Sequence, residues 1–186
     1  MSISPTILKN LVTFETLYVC SQTILFDKDN ELLKTNKTIT YDNGYKSNVG
    51  TTHTVTESLL VLLTSKVEDV VNEPLIPTYS FAHIYRDGEN VYKNTSKLSC
   101  EITLSIQLQT YNVLNTDGWS IMLNGVDYHM NDGDGVLYEG INCTHERQQL
   151  HTGNNGFHIQ AHLNYVRANG RFAEFAFDLR KAIGRV

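Results

Sequence analysis

A strict two-residue alternation constrains this chain more than any other feature. Cys100, Ile102, Leu104, Ile106 and Leu108 fall on one side, and Glu101, Thr103, Ser105 and Gln107 on the other. Period two describes a β-strand, and the split into an apolar and a polar side predicts packing on a core through one face only. A second run predicts a strand of the same kind: Phe157, Ile159, Ala161, Leu163 and Tyr165 against His158, Gln160, His162 and Asn164. Asn124-Gly125, between Trp119–Leu123 and Val126–Met130, predicts a type I′ hairpin, because both central residues must adopt positive φ. Thr78–Tyr85 is aromatic and β-rich, and Val136–Tyr138 follows the turn-like Asn131–Gly135.

Helical spacing appears at both ends of this β-rich stretch. Ser4-Pro5, followed by Ile7, Leu8, Leu11, Phe14, Leu17 and Tyr18, predicts an N-terminal helix, with a strand between Leu17 and Phe26 as the competing reading. Thr54 and Glu57 have capping-box spacing, and Leu59, Leu60, Leu63, Val67, Val70 and Val71 form an apolar stripe closed by Pro74 and Pro77. Arg171–Ile183 returns to helical spacing, whereas Asp27–Gly50 is polar and reads as an irregular connection. The expected fold is mainly β with flanking helices, a jelly roll forming a single domain over residues 1–186. Residues 1–53 would supply a helix and an irregular segment, and residues 54–186 a helix, the β core and a C-terminal helix.

Composition excludes several functions. A net charge of -5 with no basic cluster argues against nucleic acid, whose phosphates need Lys and Arg. The longest apolar run, Leu59–Leu63, is far short of a membrane span, and the N-terminus lacks a secretory signal. Cys20, Cys100 and Cys143 show no CxxC spacing, so neither a zinc site nor a disulfide framework is expected. Asp132-Gly-Asp134-Gly is too short for a calcium loop.

Several segments in order carry a resemblance: Ile76-Pro77-Thr78-Tyr79-Ser80, the Tyr85 strand, Ser99–Ile102, Gly133–Gly140, Cys143-Thr144-His145-Glu146-Arg147 and Gln160–Val166. Over roughly Thr54 to Gly170 the chain resembles a phage-encoded branch of the 2-oxoglutarate/iron(II) oxygenases, related in fold to prolyl hydroxylases. The resemblance implies a double-stranded β-helix with iron in its mouth, held by a His-x-Asp pair and a distant His. His145 matches the distant His, while the pair falls on Asn94-Thr95-Ser96, an amide and a hydroxyl without the anion a dication needs. Tyr85 and Arg147 are the candidates for 2-oxoglutarate, and Glu101, Glu146 and His162 are conceivable replacement ligands. On this ground the sequence predicts a non-catalytic oxygenase fold without cofactor. It would serve as a structural or protein-interaction component of a phage particle or its assembly, in contact with phage proteins or copies of itself. It would be found in the host cytoplasm or virion, without nucleic acid or membrane. The alternative is an Fe(II)/2-oxoglutarate hydroxylase acting on a protein or small molecule.

Overall fold

The computed structural model of the protein describes residues 2–34 and 53–183. Its strands are β1 (Thr6–Leu8), β2 (Leu75–Tyr85), β3 (Val91–Asn94), β4 (Ile102–Val113), β5 (Ile121–Leu123), β6 (Val126–Tyr128), β7 (Gly135–Tyr138), β8 (His145–Arg147) and β9 (Thr152–Arg167). They form a five-stranded sheet, β1-β7-β4-β9-β2, and a four-stranded sheet, β3-β8-β5-β6, with antiparallel pairing throughout. Among the described residues three helices accompany them, α1 (Phe14–Lys34), α2 (Thr54–Leu62) and α3 (Thr64–Val71). The result is the expected mainly β jelly roll of the double-stranded β-helix type.

The alternation in β4 and β9 has a different cause from the one the sequence suggests. Their apolar sides share one core with Cys20 and Ile24 of α1, Leu59 and Leu60 of α2, and Val67 and Val71 of α3. Tyr165 Oη also donates to the Leu60 carbonyl at 3.0 Å, fastening α2 to the sheet. The polar side is not solvated. Thr103, Ser105, Gln107, His158, Gln160 and Asn164 are all buried, because that side faces the second sheet. Ser105 lies opposite His162 and Gln107 opposite Gln160, so polar meets polar across the ladder as Leu104 meets Leu163. Period two reports a change of environment between faces, and a polar interior satisfies it as well as water does.

Other expectations need correction. Thr6–Leu8 is an edge strand paired with β7, not the start of a helix, and α1 begins only at Phe14. The stretch Leu17–Phe26 is helical, and α1 takes in the first part of Asp27–Gly50, the rest of which lies outside the described residues from 35 onward. The predicted Thr54–Val71 helix divides at Leu63, and His53 rather than Thr54 is its N-cap. Glu57 does not close a capping box; its carboxylate accepts from Ser80 N at 2.9 Å and from Arg180 Nη1 at 2.9 Å. Asn72, at φ 57, ends α3 in the left-handed region, ahead of Pro74. Residues 98–100 are a 3-10 turn, so the strand starts at Ile102. Arg171–Ile183 contributes only broken 3-10 turns over Ala173–Leu179. The hairpin holds, with Asn124 at φ 50 and Gly125 at φ 81.

Candidate functional site between the sheets

One cavity of about 270 Å³ opens between the sheets. It gathers Asn94, Ser96, His145, Tyr85 and Arg147, and His162 of the suggested replacement ligands, but neither Glu101 nor Glu146. Asn94 stands opposite His145 in the β3–β8 ladder, and Val91 opposite Arg147. Ser96 is placed by its N–H, which donates to the Gly140 carbonyl at 2.8 Å. Gly140 has no room for a side chain there: a Cβ would sit 2.4 Å from the Cys100 carbonyl and 2.9 Å from Ser96 Oγ. This close approach brings the turn after β7 against the residues that follow β3.

The charge of the wall sets its chemistry. Arg147 and Lys97 line the cavity, and among the described residues no Asp or Glu does, in a chain of net charge -5. Lys97 lies over the Tyr79 ring, 4.5 Å from its centroid, while Arg147 is only 5% exposed. The Arg147 guanidinium packs 4.4 Å from the centroid of Trp119, donates to the Trp119 carbonyl, and reaches Gln160 Oε1 at 2.9 Å. Among the described residues no carboxylate forms an ion pair with it. Burial pulls its pKa down to about 10, so it stays charged at neutral pH. A buried guanidinium using two of its five N–H groups costs several kcal/mol unless an anion joins it. Tyr85, in edge contact with Trp119 at 4.8 Å, has no described partner for its hydroxyl. Burial pushes its pKa up to about 12, keeping it an O–H donor.

The donors available to a metal are neutral. Burial holds the His145 imidazole below its ordinary pKa, and Nδ1 approaches the Cys143 carbonyl at 3.4 Å, leaving Nε2 as the free nitrogen. Asn94 Nδ2 donates to the Tyr92 carbonyl at 2.6 Å, so only Oδ1 can face an ion, and Ser96 offers a hydroxyl. Among the described residues no three His, Cys, Asp or Glu side chains are grouped to hold one. The candidate replacements are engaged elsewhere. Glu101 is bound to Arg167 at 2.8 Å, and Glu146, on the opposite face of β8 from His145, lies 4.0 Å from Lys93. His145, Asn94 and Ser96 therefore fit a divalent ion only when an anionic ligand brings the balancing charge. One prediction follows from the charge alone. Asn94→His with Ser96→Asp is expected to tighten Ni(II) at least about 100-fold in a metal titration without added acid, because first ligands outweigh the outer partners worth 10–100-fold.

The inner histidines are kept neutral. His158 is lowered well below its ordinary value by burial and then by the charge of Arg147, and burial with His145 and Arg147 nearby takes His162 down to about 3. A group depressed in the folded state takes up its proton on unfolding, so stability is present above pH 6.5 and is lost as pH falls. From pH 6.5 to 5 His162 alone should remove up to about 2 kcal/mol, at about 1.4 kcal/mol per pH unit, and His158 acts in the same direction. Urea unfolding at the two pH values checks this.

No protein-family model and no curated protein matches this sequence. Solved structures match in fold. HygX from Streptomyces hygroscopicus, with nickel and 2-oxoglutarate bound, is similar at TM-score 0.59 and 12% identity, over 90% of this chain and 84% of that one. The viral collagen prolyl hydroxylase of Paramecium Bursaria Chlorella virus-1, in its 2-oxoglutarate complex, is similar at 0.57 and 11%, over 87% and 94%. A Pseudomonas putida prolyl-4-hydroxylase is similar at 0.56 and 9%, over 88% and 87%. The fold is thus that of the 2-oxoglutarate/Fe(II) oxygenases. Two of these structures are prolyl hydroxylases, and two hold 2-oxoglutarate, one of them with nickel. That overturns the expectation of a non-catalytic structural component without cofactor. The expectation rested on the missing His and Asp at Asn94 and Ser96, although Arg147, already a candidate for 2-oxoglutarate, is retained as a buried cation on the cavity wall. Among the described residues no helix is long and apolar enough to cross a membrane.

Proposed function

We propose that the protein is a 2-oxoglutarate-dependent oxygenase, a hydroxylase of a protein or small molecule, with an altered metal-binding face at Asn94, Ser96 and His145. The observation that carries this reading is Arg147, a buried guanidinium on the cavity wall without a carboxylate partner among the described residues. Arg147 would take one carboxylate of the acid through its unused N–H groups, a charge-assisted contact made stronger by the dry surroundings of Trp119 and Tyr138. The Tyr85 hydroxyl would add a neutral donor. A cavity of about 270 Å³ lies at the lower end of ligand pockets, which suits a small dicarboxylate. A divalent iron bound by His145, Asn94 and Ser96 together with the acid would supply the activation of dioxygen. The experiment is anaerobic loading with Fe(II) and 2-oxoglutarate followed by oxygen. Succinate formed in more than one equivalent is expected; bound acid with no succinate above a protein-free control overturns the reading.

A further inference from the structure

A chain of hydrogen bonds leads from Arg147 to the opposite wall of the cavity, and its direction can be assigned. Arg147 can only donate, so Gln160 Oε1, at 2.9 Å from Nη2, must accept. The same oxygen lies 2.7 Å from His158 Nε2, which therefore carries a hydrogen. With its oxygen committed, Gln160 presents Nε2 to Ser105 Oγ at 2.8 Å as donor. Ser105 then has one hydrogen left to give, and its remaining partner is His162 Nδ1 at 3.1 Å. A neutral imidazole that accepts at Nδ1 bears its hydrogen on Nε2. That nitrogen has no partner among the described residues, the ring is stacked on Phe81 at 4.6 Å, and the residue lines the cavity.

We infer that His162 is a ligand-contact residue, locked by the Arg147–Gln160–Ser105 chain as an N–H donor to an oxygen of the bound acid. The inference rests on the reading above for the identity of the acid, but its lock does not. It also removes His162 from the possible metal ligands, since its lone pair is turned toward Ser105. The cavity is then a donor-lined site, with a cation at Arg147, an O–H at Tyr85 and an N–H at His162. An acid with two separated oxygen groups satisfies it better than a monocarboxylate.

The lock and the contact are tested separately on the whole protein. Nitrogen-15 NMR of the imidazoles should show His162 with a hydrogen on Nε2 and none on Nδ1, unchanged from pH 8 to pH 5; hydrogen on Nδ1 overturns the assignment whether or not any acid binds. Ser105→Ala should release the lock, so that the resonance becomes that of a mixed tautomer; an unchanged resonance contradicts the chain. For the contact, 2-oxoglutarate is titrated into wild type, His162→Phe and His162→Gln. A loss of about tenfold for Phe, partly rescued by Gln, which keeps an N–H, is expected. Equal affinity in all three overturns the contact, whereas no binding to wild type rejects the proposed function and leaves the tautomer result standing.

Discussion

Arg147→Met should weaken 2-oxoglutarate binding by about 100-fold or more while leaving the fold as stable as before, or more so. Losing one partner of a buried charge pair costs about 2–5 kcal/mol in binding, and 2.7 kcal/mol is about 100-fold. Stability moves the other way because the free protein carries an uncompensated buried guanidinium, 5% exposed and lacking a paired carboxylate among the described residues. An apolar side chain of similar length removes that burden and keeps contact with Trp119. The loss of the hydrogen bonds to the Trp119 carbonyl and Gln160 works against the gain. Stability unchanged within about 1 kcal/mol, with binding abolished, is the signature of a residue retained for its ligand. A variant that binds the acid normally, or fails to fold, contradicts this role. The comparison combines calorimetric binding with urea unfolding.

The largest loss of stability is expected at the other end of β9, from Arg167→Met. Arg167 lies 2.8 Å from Glu101, 2.7 Å from Glu139 and 3.2 Å from Glu73, gathering the start of β4, the end of β7 and the turn after α3. Burial pushes Glu139 up, but hydrogen bonds from Asn142 and Arg167 outweigh it and hold the carboxyl below its usual range. That carboxylate therefore stabilises the fold above the unfolded carboxyl pKa, and the contribution fades as pH falls through the lower folded value. Without the guanidinium, buried carboxylates face one another unpaired, which costs about 3–5 kcal/mol. Urea unfolding at pH 7 should show that loss, and at pH 4.5 a smaller one as the carboxyls take up protons. A loss below about 1 kcal/mol at pH 7 would mean that water already screens the cluster.

Much of this architecture can be read from the residues. The alternation over Cys100–Leu108 and Phe157–Tyr165 locates the two central strands, and Asn124-Gly125 locates the hairpin. The cavity residues too are legible, since the resemblance places Asn94, Ser96, His145, Tyr85 and Arg147 where one cavity gathers them. The destination of the polar side is not. Ser105, Gln107, His158 and Gln160 look like a wet face, and only the second sheet, contributed by short strands such as β3 and β8, makes them an interior. Thr6–Leu8 misleads because three residues fit a helical period as readily as an edge strand, and pairing with Gly135–Leu137 decides between them. Arg171–Ile183 has the spacing of a helix, but residues 176–177 leave the helical region. The network that fixes His162 had one available signal, the hydrogen-bonding residues at alternate positions 158, 160, 162 and 164, interleaved with the apolar residues 157 to 165 of the same strand.

The most direct measurement uses the single tryptophan, Trp119, which lies against Arg147 and reports on the cavity. Wild-type protein with Mn(II) is titrated with 2-oxoglutarate while Trp119 fluorescence is followed. A saturable change at one equivalent, absent in Arg147→Met and much weaker with acetate, is the expected result. A flat titration in the wild type, or a response that survives Arg147→Met, contradicts the account.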